Sequence, residues 1–71
     1  MKEQNIGRIL RKAREMQGMT QMQVAALAGI NIGQYQRLES GERSMASASL
    51  RIGLSICCVL KLDPRRFVQI Q

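Results

Sequence analysis

No histidine occurs in this sequence, and its two cysteines, Cys57 and Cys58, are adjacent. A zinc site needs N and S ligands at set spacings, and a Cys–His or Ser–His nucleophile needs an imidazole as its base. Both chemistries are excluded, so no catalytic residue, metal or cofactor is expected and the protein is not read as an enzyme. Vicinal cysteines on one regular element point apart and do not bridge readily, which fits free thiols in a reducing compartment. What the charged side chains can do is hold an anion. Eleven Lys or Arg stand against five Asp or Glu, for a net charge of +6 and a pI near 10.4. The cations are unevenly placed: none occurs from Thr20 to Gln36, and they gather at Arg8, Arg11, Lys12 and Arg14, at Arg37 and Arg43, and at Lys61, Arg65 and Arg66. Aromatic residues, at 3%, are too few for a sheet that stacks unpaired bases.

The elements that would position these cations are helical. Hydrophobic residues make up 45% of the 71, enough for a core and too many for a disordered basic tail, so residues 1–71 are read as one folded domain. Ile6, Ile9, Leu10, Ala13 and Met16 recur at steps of three and four, an amphipathic helix that Asn5 can cap and Gly18 can end. Thr20 followed by Gln23 is a capping box, predicting a short helix from Gln21 that stops before Gly29. Asn31 with Gln34 repeats that arithmetic for a third helix over residues 32–40, ended by Gly41 and burying Tyr35 and Leu38. Residues 42–46 read as loop. From Ser47 the pattern is mixed: Leu50, Ile52, Leu54 and Ile56 alternate like a strand, whereas Leu50, Gly53, Leu54, Cys57 and Leu60 form one helical face. A lone strand would have no partner, so a fourth helix is expected. Asp63-Pro64 then opens a terminal turn with Phe67 and Val68 inward. The N-terminus lacks the apolar stretch of a signal peptide and no run is long enough to span a membrane, so a cytoplasmic protein without a membrane partner is expected.

Two capped helices separated by Ala28-Gly29-Ile30, with Ala25 four residues before the glycine, describe a helix-turn-helix over about residues 20–40. Val24, Ile30, Tyr35 and Leu38 supply its apolar contacts. Turning Tyr35 and Leu38 inward, at 100° per residue, turns Gly33, Gln36, Arg37 and Ser40 outward. Arg37 suits the O6 and N7 acceptors of guanine, and Gln36 suits adenine.

From Ile6 to Phe67 the chain resembles the Cro and lambda-repressor-like helix-turn-helix domains, the group that includes xenobiotic-response-element-type regulators. The matching residues are Thr20-Gln21, Val24-Ala25, Gly29-Ile30, Tyr35, the run Leu38-Glu39-Ser40-Gly41-Glu42-Arg43, then Leu60 and Asp63-Pro64. The resemblance implies an all-α, compact domain of four to five helices that binds double-stranded DNA as a sequence-specific transcriptional regulator of bacterial or phage type. It places residues 32–40 in the major groove, with Ile32, Gly33 and Arg37, joined by Gln36, at the bases. Gln21, Ser40 and Arg43, with Asn31 at the helix start, would hold the DNA backbone. It also implies an ion pair between Arg14 and Glu39, and a homodimer on paired half-sites, for which Phe67, Val68 and Ile70 are apolar candidates. Two rival functions are a protein-interaction module, such as the antitoxin half of a toxin–antitoxin pair, and a cationic membrane-active helix. The second is disfavoured because the apolar face of the first helix is needed to close the core.

Overall fold

The computed structural model describes residues 6–45 and 48–67, and among them there are four α-helices, a short 3-10 turn and no strand. They are α1 (Ile6–Met16), α2 (Gln21–Ala28), α3 (Ile32–Ser40) and α4 (Leu50–Leu60), with the 3-10 turn at Pro64–Phe67. The expectations placed on Asn5, on the side chain of Phe67, and on Val68 and Ile70 lie outside what is described.

The boundaries follow local chemistry. Thr20 Oγ1 accepts from the Gln23 N–H at 3.1 Å while Gln23 Oε1 accepts from the Thr20 N–H at 2.9 Å, so two donors that helix geometry orphans are satisfied at the start of α2. Asn31 and Gln34 do the same for α3, at 2.8 and 3.2 Å. Gly29, at φ +76°, takes the left-handed position that ends α2 and lets the Ile30 N–H return to the Ala25 carbonyl at 3.0 Å. The turn between the two helices is thereby fixed by its backbone. Ser49 caps α4 through the Ile52 N–H at 3.2 Å, and α4 ends on Lys61, a non-glycine residue at φ +59°.

The core is Leu10 of α1, Val24, Ala25 and Ala28 of α2, Tyr35 and Leu38 of α3, and Ile56, Cys57 and Leu60 of α4, closed by Met45 from the loop. Helix α3 packs on α1 and α2, and α4 packs on α2 and α1. The small Ala25 and Ala28 face the crossing, which lets the helix axes approach closely.

Three expected core positions are corrected. Met16 is 78% exposed, and Leu50 and Leu54 are 77% and 46% exposed. On α1 the inward face is rotated because Gly7 and Arg14 occupy it. A Cβ at Gly7 would collide with the backbone carbonyl of Glu39, so glycine is what allows α1 to lie against α3. On α4 the buried side is instead Ile56, Cys57 and Leu60, with Ile52 and Val59 half-buried beside it. The fourth element is a helix, yet its inward face combines residues from both competing periodicities. Met45, in the segment expected as loop, is buried and belongs to the core.

Candidate nucleic-acid interface

The outward surface of the helix-turn-helix is organised by a carboxylate that points the other way. Glu39 lies near the end of α3 with its side chain only 6% exposed, and Arg14 of α1 meets it with a side chain 13% exposed. Arg14 Nε donates to Glu39 Oε2 at 2.8 Å and Arg14 Nη2 donates to Oε1 at 3.1 Å, a bidentate pair. Arg14 Nη1 donates to the Met19 carbonyl at 3.0 Å, tying the same side chain to the α1–α2 turn. The Tyr35 hydroxyl donates to Glu39 Oε2 at 2.7 Å, and Gln21 Nε2 donates to Oε1 at 2.8 Å. One carboxylate thus joins α1, α2 and α3.

Its titration follows from that setting. Burial pushes the Glu39 carboxyl up, but hydrogen bonds from Arg14, Tyr35 and Gln21 and the Arg14 charge together pull it further down, leaving it below the usual carboxylate range. The hydrogen bond to Glu39 raises Arg14 above its ordinary value despite desolvation. Burial first, and Glu39 second, push the Tyr35 hydroxyl well up. Across the working pH range the unit is an anion, a cation and a neutral phenol.

Outside this unit, Gln36 and Arg37 are exposed on α3. Gln36 Nε2 donates to Gln21 Oε1 at 3.1 Å, an interhelical link the spacing did not reveal. Ile32 is half-buried and packs on the edge of the core, so much of its side chain is committed inward. Gly33 is half-buried too, with space for a Cβ limited by Asn31 Oδ1 at 3.3 Å. Asn31 spends that oxygen on the α3 cap. The Ser40 hydroxyl donates to the Arg37 carbonyl at 3.1 Å and accepts from the Glu42 N–H at 3.3 Å, which makes it a brace for the end of α3. The Arg43 N–H donates to the Arg37 carbonyl at 3.0 Å, so its backbone folds against that same end. Arg37 and Arg43 line one open pocket with Gln34 and Ser49. Arg11 of α1, paired with Glu15 at 3.3 Å, lines a second groove with Gln21, Gln36, Glu39 and Ser40 and places a cation at the border of the surface.

A comparison with models of known protein families matches residues 5–66 to a helix-turn-helix domain. The chain belongs to that family. The match takes in all four helices and agrees with the Cro and lambda-repressor-like resemblance. No curated protein matches the chain. The helix-turn-helix domain is a DNA-binding, non-enzymatic kind of fold. Among the described residues no group of His, Cys, Asp or Glu could hold a metal ion, and no helix is long and apolar enough to cross a membrane.

Proposed function

We propose that this helix-turn-helix domain is a sequence-specific, double-stranded DNA-binding transcriptional regulator, with α3 in the major groove. The observation that carries the reading is the division of α3. Its acid, Glu39, is turned inward and neutralised by Arg14, while Gln36 and Arg37 are left exposed. Arg37 presents a fork suited to guanine O6 and N7, and Gln36 an amide suited to adenine. Arg43, beside the end of α3, Arg11 at the groove border and the backbone at the start of α2 support contacts to phosphate. Ser40 and Asn31 serve here as braces of α3, and Ile32 and Gly33 would act by shape, an apolar edge and a close approach.

Reach favours a homodimer. Nine residues of helix span about 13 Å, or about four base pairs, too few to single out an operator, whereas two copies read two half-sites. A cytoplasmic regulator accords with the thiols of Cys57 and Cys58, one buried and one exposed, both free. A second reading gives the domain a protein partner, as in a toxin–antitoxin pair. Leu50 and Leu54, exposed one turn apart on α4, favour it. Duplex binding that is weak at physiological salt would assign the domain to that class.

The test is to select bound sites from randomised duplexes and measure affinity at two salt concentrations. Affinity should fall by about 0.9 log units per log unit of salt for each phosphate neutralised. Arg37→Ala should cost about 1–3 kcal/mol on the selected site and flatten the preference at one base pair. Arg43→Ala should weaken all duplexes alike and reduce the salt slope by about one. The opposite assignment of the two effects would mean that α3 does not lie in the groove as proposed.

A further inference from the structure

We infer that Glu39, acting through Gln21, fixes the side-chain amide of Gln36 in one orientation, and that this orientation selects adenine over guanine at one base pair. The inference rests on the DNA-reading function proposed above and names the base that one residue reads.

The argument is one of hydrogen-bond polarity. An ionised carboxylate only accepts, and both Glu39 oxygens are already engaged by Arg14, with Tyr35 on Oε2. The two ends of a glutamine amide have nearly the same shape, so only its partners decide which way it faces. Gln21 must turn its nitrogen toward Glu39 Oε1, at 2.8 Å, and its oxygen outward. That oxygen then takes one N–H of Gln36 at 3.1 Å. The donors run in one direction, from Gln36 to Gln21 to Glu39: reversing the inner link would require the carboxylate to donate, and turning Gln36 over would set its own oxygen against Gln21 Oε1.

Gln36 is exposed and retains its Oε1 and one N–H. The major-groove edge of adenine offers an N6 donor and the N7 acceptor, the complement of that pair. Guanine offers two acceptors, O6 and N7, so Oε1 would face O6 with no proton between them. A free glutamine could turn its NH2 group toward guanine, whereas one anchored through Gln21 has already used half of that group. Gln21 keeps its own second N–H, so a phosphate contact by Gln21 is compatible with its role as a positioning residue. Glu39 touches no DNA in this scheme. It is also a positioning residue, one link further back.

The experiment compares the full chain with Gln21→Ala, Gln36→Ala, the double variant and Glu39→Gln. Each is titrated against the selected duplex and all single-base-pair changes of it, at one salt concentration. The unaltered chain should prefer adenine over guanine at one pair by about ten- to a hundredfold, the range of a good bidentate contact. Gln36→Ala should remove that preference, Gln21→Ala should reduce it to within about threefold, and the double variant should go no further. Other base pairs should keep their preferences. In the free protein, Gln21→Ala and Glu39→Gln should each shift the Gln36 side-chain NH2 resonances. Gln21→Ala leaves the Arg14, Tyr35 and Glu39 contacts in place, so it reports on the chain of amides even where Glu39→Gln lowers stability. A Gln21→Ala variant that weakens every duplex equally with the adenine preference intact overturns the inference and leaves the DNA-reading function standing. Unmoved Gln36 resonances overturn it as well. An unaltered chain with no base preference at any pair removes the function and the inference together.

Discussion

Glu39→Ala offers the most demanding test of how this small domain is held together. The substitution deletes the acceptor of four hydrogen bonds: two from Arg14 and one each from Tyr35 and Gln21. It also strands a guanidinium that is 13% exposed. Breaking one side of a buried ion pair costs about 3–5 kcal/mol, mostly because the remaining charge is left without a partner. A chain of this length has a total stability of about 4–11 kcal/mol, so the change removes about a quarter or more of it. At about 4–8 °C per kcal/mol for a domain of this size, the melting temperature should fall by about 12–40 °C. The cycle with Arg14→Ala isolates the pair. Loss of the Arg14 bond to the Met19 carbonyl is common to Arg14→Ala and the double variant, and loss of the Tyr35 and Gln21 acceptor is common to Glu39→Ala and the double variant. Those losses cancel, leaving the bidentate contact. Urea denaturation followed by circular dichroism should show the double variant more stable than the summed single losses by about 1–3 kcal/mol. Additivity within about 0.5 kcal/mol would refute the claim that Arg14 and Glu39 stabilise each other.

Two further tests probe the same joint. Gly7→Ala should destabilise the fold by about 1–3 kcal/mol in thermal unfolding, because its Cβ meets the Glu39 backbone, whereas Gly53→Ala, with nothing within 4 Å of its Cβ, should gain up to about 1 kcal/mol from helix propensity. Equal effects at the two glycines would show that α1 does not lie against α3. The depressed Glu39 carboxyl means the unfolded chain takes up its proton first, so its contribution is complete above the ordinary value of 4.5 and is lost as pH falls through the lower folded value. Urea midpoints measured across the acid range should drop more steeply for the unaltered chain than for Glu39→Ala.

Helix ends were legible in the sequence because their chemistry is local. Thr20 with Gln23, Asn31 with Gln34, and Gly29 and Gly41 each act within one turn, and α2 and α3 begin and end where those residues place them. Helix faces were less legible, since burial depends on what lies opposite. Apolar spacing could not show that Gly7 marks the closest approach of α1, or that Arg14, a charged residue, turns inward to a partner 25 positions away. Leu50 and Leu54 entered the expected face of α4 through their helical spacing with Cys57 and Leu60, yet Ile52 and Ile56 lie on the side that α2 and α1 cover. Met45 had no periodic neighbours to signal its burial. Of the candidate site, the exposure of Gln36 and Arg37 followed from placing Tyr35 and Leu38 inward. The link from Gln36 to Gln21 spans two helices and 15 positions, and only their packing reveals it.

The packing also resolves an electrostatic conflict within α3. On the function proposed, α3 approaches a polyanion, yet it carries a glutamate two residues beyond its one arginine, and in solution that carboxylate would offset the Arg37 charge. Two residues along a helix is a rotation of about 200°, so Arg37 facing out places Glu39 facing in. Alone, the inward carboxylate would be costly to bury. Arg14 neutralises it from α1, Tyr35 and Gln21 fill its remaining acceptor sites, and among the described residues no buried polar side-chain atom is left unpaired. The outward face of α3 then presents a cation and an amide while the one acid of the helix is held by Arg14, and the contact that joins α1 to α3 is the one that neutralises that acid.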